Sequence, residues 1–247
     1  MDNELLLASK NDIPFTSAQI NIHQPTISEI SYIGEETFFS ACQLINFGRD
    51  RLSTEDKLVL GDKTNFDIFM SIMNEKSTSK HKNNVSMLLA LLFPDKQIKI
   101  TKDEIILISG DKISRINNLN FEEFKDIINS MFGLNTNGGS SDSYNPANSR
   151  AKKIAEKLEK RKEKLNRGKA SEKVAVFSRY VSILAVGCHK DYNSLMQYTV
   201  YQLKDEFLRF QAKTSFDFYL QAKIAGAKDL DEVDNWMNDL YTSSKKL

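Results

Sequence analysis

Apolar residues recur along the chain with two spacings, and the change from one to the other outlines the elements. Residues 14–23 end in alternation, with Phe15, Ile20 and Ile22 as apolar positions, and read as a strand that Pro25 brings to a close. From 27 to 45, Ile27, Ile30, Ile33, Phe38, Cys42 and Ile45 fall at helical spacing. Gly34 is the weak point, so the helix is clearest over 35–46. Helices are also expected over 65–75 and 83–93, the second closed by Pro94. Three short β-rich runs follow, at 97–100, 104–109 and 113–116. Thr101-Lys102-Asp103 and Gly110-Asp111 separate them, which predicts a small hairpin or three-stranded meander. Asn120 is placed to cap a helix over 121–132, Glu122 and Glu123 favour its N-terminal dipole, and Gly133 suits its C-cap.

Residues 135–146, NTNGGSSDSYNP, contain no aliphatic side chain and read as a flexible linker. Beyond it every stretch reads helical. Asn145 or Asn148 is placed to cap a helix running to about 166, and Ser171 to cap one over 172–186. Asn193 opens a helix over 194–212, another follows over 215–225, and Asp229 caps a last one over 230–240. Short loops between them predict antiparallel neighbours. The expected fold is α+β and mostly helical. A small mixed α/β domain at 1–134 carries a short antiparallel sheet, the linker spans 135–146, and an all-α bundle occupies 147–247.

Charge sharpens this division. The net charge of +1 hides an acidic stretch over 1–146, a strongly basic block over 147–170 and a balanced remainder. The block RAKKIAEKLEKRKEKLNRGK, 150–169, leaves Ile154, Leu158 and Leu165 as a thin apolar stripe, too thin for burial by its own domain. Three readings stay open. It is a solvated connecting helix held by pairs such as Glu156–Lys160 and Glu159–Lys162, a surface for an acidic or coiled-coil partner, or a phosphate contact. The block has no interleaved aromatics for stacking on single strands, and the near-zero net charge disfavours a dedicated nucleic-acid binder.

Composition and motifs point away from catalysis. Glycine (10) and proline (4) are too scarce for a turn-dense all-β fold, and two cysteines cannot build a disulfide framework. The start, Met-Asp-Asn-Glu, has no basic and apolar leader pattern, and no apolar run approaches membrane-spanning length, so a cytoplasmic location is expected. Phosphate-cradling loops, HExxH and GxSxG are absent from the sequence. Cys188-His189 reads as a half-buried thiol and a solvated imidazole at a helix end, and Asp205 as an i+4 partner of Arg209. No catalytic residue, cofactor or metal is expected. The C-terminal aromatics sit at helical spacing and read mostly as core, with a surplus suited to a protein-binding groove.

The stretches at 144–158, YNPANSRAKKIAEKL, at 177–211, FSRYVSILAVGCHKDYNSLMQYTVYQLKDEFLRFQ, and at 219–240, YLQAKIAGAKDLDEVDNWMNDL, carry a resemblance, with IPFTSAQINIHQPTISEISYIGEETFF at 13–39 adding to it. The pattern resembles tail-morphogenesis proteins of phages of Gram-positive bacteria, nearest to their tail assembly chaperones. The resemblance implies a small N-terminal α/β region, a C-terminal helical region and no active site. It also implies partners among other tail proteins, such as tape-measure, tail-tube or baseplate components, met in the host cytoplasm during assembly. A structural tail or baseplate subunit kept in the virion is the alternative, and a nucleic-acid binder using 150–169 the next. A homo-oligomer is left open. Lys152, Lys153, Lys160, Arg161 and Lys164 are the expected exposed partner contacts. Tyr198, Tyr201, Phe207, Phe210 and Trp236 are the expected aromatic anchors, in or near the core.

Overall fold

The computed structural model describes residues 3–49, 61–75, 79–134, 176–227, 233 and 235–237. Up to Ile116 the described residues form five helices and two small sheets. They are α1 (Asn3–Ala8), β1 (Ile13–Phe15), β2 (Ile20–Ile22), α2 (Ile27–Ile33), α3 (Glu35–Ile45), α4 (Asn65–Asn74), α5 (Ser79–Leu92), β3 (Gln97–Ile100), β4 (Ile105–Ser109) and β5 (Lys112–Ile116). Then come α6 (Phe121–Phe132), α7 (Val176–Gly187), α8 (Tyr192–Met196) and α9 (Val200–Ile224). The described fold is α+β and mostly helical.

Local sequence explains most of the boundaries. Thr26 caps α2 and Thr64 caps α4, each in a capping box closed by Glu29 or Asp67. Gly34, at φ +83°, separates α2 from α3, a conformation that L side chains rarely adopt. The run expected as one strand over 14–23 is a hairpin instead. A 3-10 turn (Thr16–Ala18) and left-handed Gln19, φ +54°, fold β2 back on β1, with Phe15 opposite Ile20. Phe15 and Ile22 are both fully buried by this reversal. The expected meander is present, antiparallel in the order β3-β4-β5. Gly110, at φ +57°, opens its two-residue turn, where a primed hairpin turn needs a left-handed residue.

Asn120 stands at the N-cap of α6 but makes no capping bond. Its side chain turns back to the end of β5, accepting from Asn117 N at 2.8 Å and donating to Arg115 O at 2.8 Å. Glu122 and Glu123 are tied across the fold, to Asn65 Nδ2 and to Thr16 N. Gly133 is the left-handed C-cap that the sequence predicts.

The described residues on the two sides of the expected linker share one core. The described residues up to Leu134 and from Phe177 onward belong to one compact unit. Described residues after 176 are buried together with residues before 135. Phe38 shows why. Its ring lies 4.8 Å from Phe132 and 5.6 Å from Phe177, edge-on to both, while Phe39 stacks on Phe177 at 5.1 Å. Val181, Leu184, Leu195, Val200 and Leu203 are buried in the same cluster as Phe15, Ile30 and Ile45.

Polar contacts close the junction. Thr26 and Thr199 form an antiparallel bridge, and Ile27 N donates to Tyr198 O at 2.9 Å. Gln202 closes the capping box of α9 and reaches Ala8 O at 2.8 Å. Glu35 accepts from Phe177 N and Ser178 N, so a carboxylate on α3 satisfies the first turn of α7.

The chain's two cysteines differ in access. Burial pushes the Cys42 thiol far above the ordinary thiol range, and Cys188 is only half-buried. Ellman's reagent is expected to titrate one thiol rapidly in the native protein, Cys188, and two after unfolding. Equal rates for both thiols would contradict this burial.

Candidate interaction surface

The surface grows out of α7, α8 and α9. Asp191 caps α8, its carboxylate accepting from Ser194 N at 2.8 Å, which holds its pKa below the usual aspartate range. Thr199 caps α9. The helix expected over 194–212 therefore starts in two pieces, because Gln197 and Tyr198 form a turn between them. At its other end the expected break near 213 does not occur. α9 runs unbroken for 25 residues through Thr214 and Ser215. Thr214 Oγ1 donates to Phe210 O at 2.8 Å, satisfying its hydroxyl inside the helix.

Around the start of α9, charged groups are well satisfied. Lys190 Nζ contacts Glu206 Oε1 at 2.6 Å and Tyr198 Oη at 2.6 Å. Burial works against its charge, but these partners outweigh it and hold the ammonium above the ordinary lysine range. Lys204 Nζ donates to Gly133 O, and burial pulls its pKa down. The two lysines respond oppositely to alkali. A raised folded pKa gives stability that is lost as pH rises through it, and a lowered one gives stability that increases as pH rises through it. The Lys190→Met variant is expected to lose the alkaline destabilisation that the Lys190 pair contributes above about pH 10.5, measured by thermal unfolding across pH.

Arg209 pairs with Asp205 at 3.3 Å, the i+4 contact read from the sequence, and reaches Trp236 O. Cys188 and His189 are a half-buried thiol and an exposed imidazole beyond the end of α7. Among the described residues no group of three His, Cys, Asp or Glu side chains is arranged to hold a metal ion. No described helix is long and apolar enough to cross a membrane.

One apolar stripe runs the length of α9. Positions 200, 203, 207, 210, 214 and 218 follow steps of three and four residues and so share a face. Val200 and Leu203 are buried, Phe207 and Phe210 are half-buried, and Phe218 is 66% exposed. Phe207 stacks on Tyr180 of α7, centroids 4.1 Å apart. Phe210 lies over Gly187, where a Cβ would run into its ring. The stripe thus outruns the domain that it packs against. A second face, Phe216, Leu220 and Ile224, opens in the same half of the helix, and Ile224 is 86% exposed. Beyond Leu203 no residue of α9 is buried.

Of the anchors read from the sequence, Tyr198, Tyr201, Phe207, Phe210 and Trp236 are all half-buried. The expectation that the C-terminal aromatics are mostly core is corrected. Among the described ones only Phe177 is buried, while Tyr192 and Phe218 are exposed, because one long helix offers fewer covered faces than several short ones. Lys152, Lys153, Lys160, Arg161 and Lys164 lie outside the described residues, as does the helix expected over 148–166. The helix expected over 230–240 falls largely outside them too. Leu220 and Ile224 were missed as candidates. The absence of Gly or Pro between 200 and 225 is the signal that joins the two predicted helices and finds them.

The residues of this surface also carry a similarity to known proteins. Residues 168–241 match the model of the YomV second domain, a phage-associated family. The match spans α7, α8 and α9, and so contains the whole exposed half of α9. Neither a curated protein nor a solved structure matches the chain.

Proposed function

We propose that the chain is a non-enzymatic phage protein that binds other tail proteins during virion morphogenesis, in the manner of a tail assembly chaperone. The observation that carries this reading is the apolar stripe of α9, which passes from buried Leu203 to exposed Phe218 within one helix. Exposed large apolar side chains on a helix face suit a groove-binding contact, in which a few anchors supply most of the affinity. The phage-associated match over the same residues supports the setting. Partner proteins in the host cytoplasm are part of the proposal, as is action without a cofactor.

A double substitution, Phe218→Asp with Ile224→Asp, tests the surface. Both side chains are exposed, so the thermal unfolding midpoint is expected to stay within a few degrees of the parent. Recovery of tail proteins with the tagged chain from infected-cell lysate is expected to fall at least about tenfold. Undiminished recovery would remove the face from the proposal. Mass spectrometry of purified particles against lysate then separates the two roles. Absence from particles supports a chaperone, and a fixed copy number supports a structural subunit.

A further inference from the structure

β5 is an edge strand, paired with β4 on one side only. Its register shows which of its backbone groups are left over. Ser109 and Lys112 flank the two-residue turn, so Ser109–Lys112, Leu107–Ser114 and Ile105–Ile116 are the pairs that exchange ladder hydrogen bonds. Ile113 and Arg115 turn their N–H and C=O groups away from β4. The Asn120 side chain agrees with this assignment, since it reaches Arg115 O from outside the sheet. Among the described residues Ile113 N–H, Ile113 C=O and Arg115 N–H have no hydrogen-bond partner.

A groove of about 730 Å³ runs beside this edge. Residues 17–19, Asn117 and Leu119 line it together with the strand. Ile113 is 58% exposed and Leu119 94% exposed. Lys112 and Arg115 line the groove, and among the described residues no carboxylate does. Arg115 keeps one loose ion pair, Nε to Glu104 Oε2 at 3.7 Å, and Lys112 has none among the described residues. Cations on an edge strand also deter pairing with another copy of the same strand. That repulsion disfavours a second copy of this chain here and leaves an acidic strand as the complementary occupant.

From the unpaired edge, the groove and its charge, we infer that β5 docks an extended acidic peptide segment of another protein, added as a fourth strand of the β3-β4-β5 sheet. Main-chain bonds to Ile113 and Arg115 supply the register, and Lys112 and Arg115 select acidic side chains. Ile113 and Leu119 offer apolar contact to the residues between. This surface is separate from the exposed half of α9, and its test does not depend on that reading.

The probe is the acetylated, amidated octapeptide DVVDVVDV, whose aspartates stand three positions apart as Lys112 and Arg115 do, with the peptide carrying lysine for aspartate as control, titrated into the full ¹⁵N-labelled chain. Saturable binding of the acidic peptide is expected, weakening with salt, together with slowed hydrogen exchange at the Ile113 and Arg115 amides. The Ile113→Pro variant removes one docking donor without touching the ladder and is expected to bind about tenfold more weakly. The double variant Lys112→Glu, Arg115→Glu is expected to lose binding of the acidic peptide, and serves alone if Ile113→Pro does not fold. No binding at millimolar peptide, or equal affinity for the lysine peptide, overturns the inference. So does full affinity in either variant. Slowed exchange at the same amides on raising the protein concentration alone would assign the edge to a second copy. Tighter competition by single-stranded oligothymidine would assign the groove to nucleic acid. Either result overturns it as well.

Discussion

Replacing Phe38 by alanine is expected to destabilise the protein by about 3–5 kcal/mol, measured by chemical unfolding of the full chain. Phe38 is fully buried, and its ring meets Phe39, Phe132 and Phe177 within 5.6 Å. These partners belong to α3, α6 and α7, so the vacated space lies where three helices converge. Each of them is positioned by other contacts, which limits how far the site can collapse and places the cost toward the upper part of the range. Phe38→Leu keeps much of the volume and is expected to cost less than half as much. A loss below about 1 kcal/mol for the alanine variant would mean that the C-terminal helices do not pack here as described.

Ending the chain after Leu134 is expected to abolish cooperative folding. The truncation removes Phe177, Val181, Leu184, Leu195, Val200 and Leu203, all buried in the common core. At roughly 1.5–3 kcal/mol for each buried side chain, the loss is on the order of 10 kcal/mol, comparable with the whole stability of an ordinary domain. It also frees Ile27 N from Tyr198 O and removes Lys204 from the carbonyl end of α6. The expected result is a fragment with residual helical circular dichroism, no sharp thermal transition and dye-binding apolar surface. A fragment that melts cooperatively would mean that residues 1–134 form an independent domain, as their composition alone suggests.

The contrast between these outcomes follows from what local patterns encode. The meander was legible because Ile105, Leu107 and the flanking turn residues alternate cleanly between Gly and Asp signals. α6 was legible because its stripe, its acidic first turn and Gly133 agree. The strand over 14–23 was half right. Nothing short-range shows that Gln19 takes a left-handed conformation, because that strain is offset only by burying Phe15 and Ile22 together. The division of α8 from α9 was misplaced because Asn193 and Asp191 are both acceptable caps and the local capping box of Thr199 with Gln202 was overlooked. At the surface, Phe207 and Phe210 were recognised by their type and spacing. Leu220 and Ile224 were not, since exposure of an aliphatic residue depends on what the rest of the fold fails to cover.

Sequence alone determined the fold class, the glycine C-cap of α6, the meander and its turn, and the Asp205–Arg209 pair. These rest on interactions between residues close in the chain, whose geometry is set by helix or hairpin periodicity. The tertiary structure decided that α7 to α9 share a core with residues before 135, that Glu35 and Lys204 satisfy the ends of distant helices, and that the stripe of α9 ends in solvent. Those outcomes depend on contacts between groups as far as 194 positions apart, such as Gln202 with Ala8. No local pattern carries such a pairing, because many pairings satisfy the same periodicity and only close packing of the whole core selects among them.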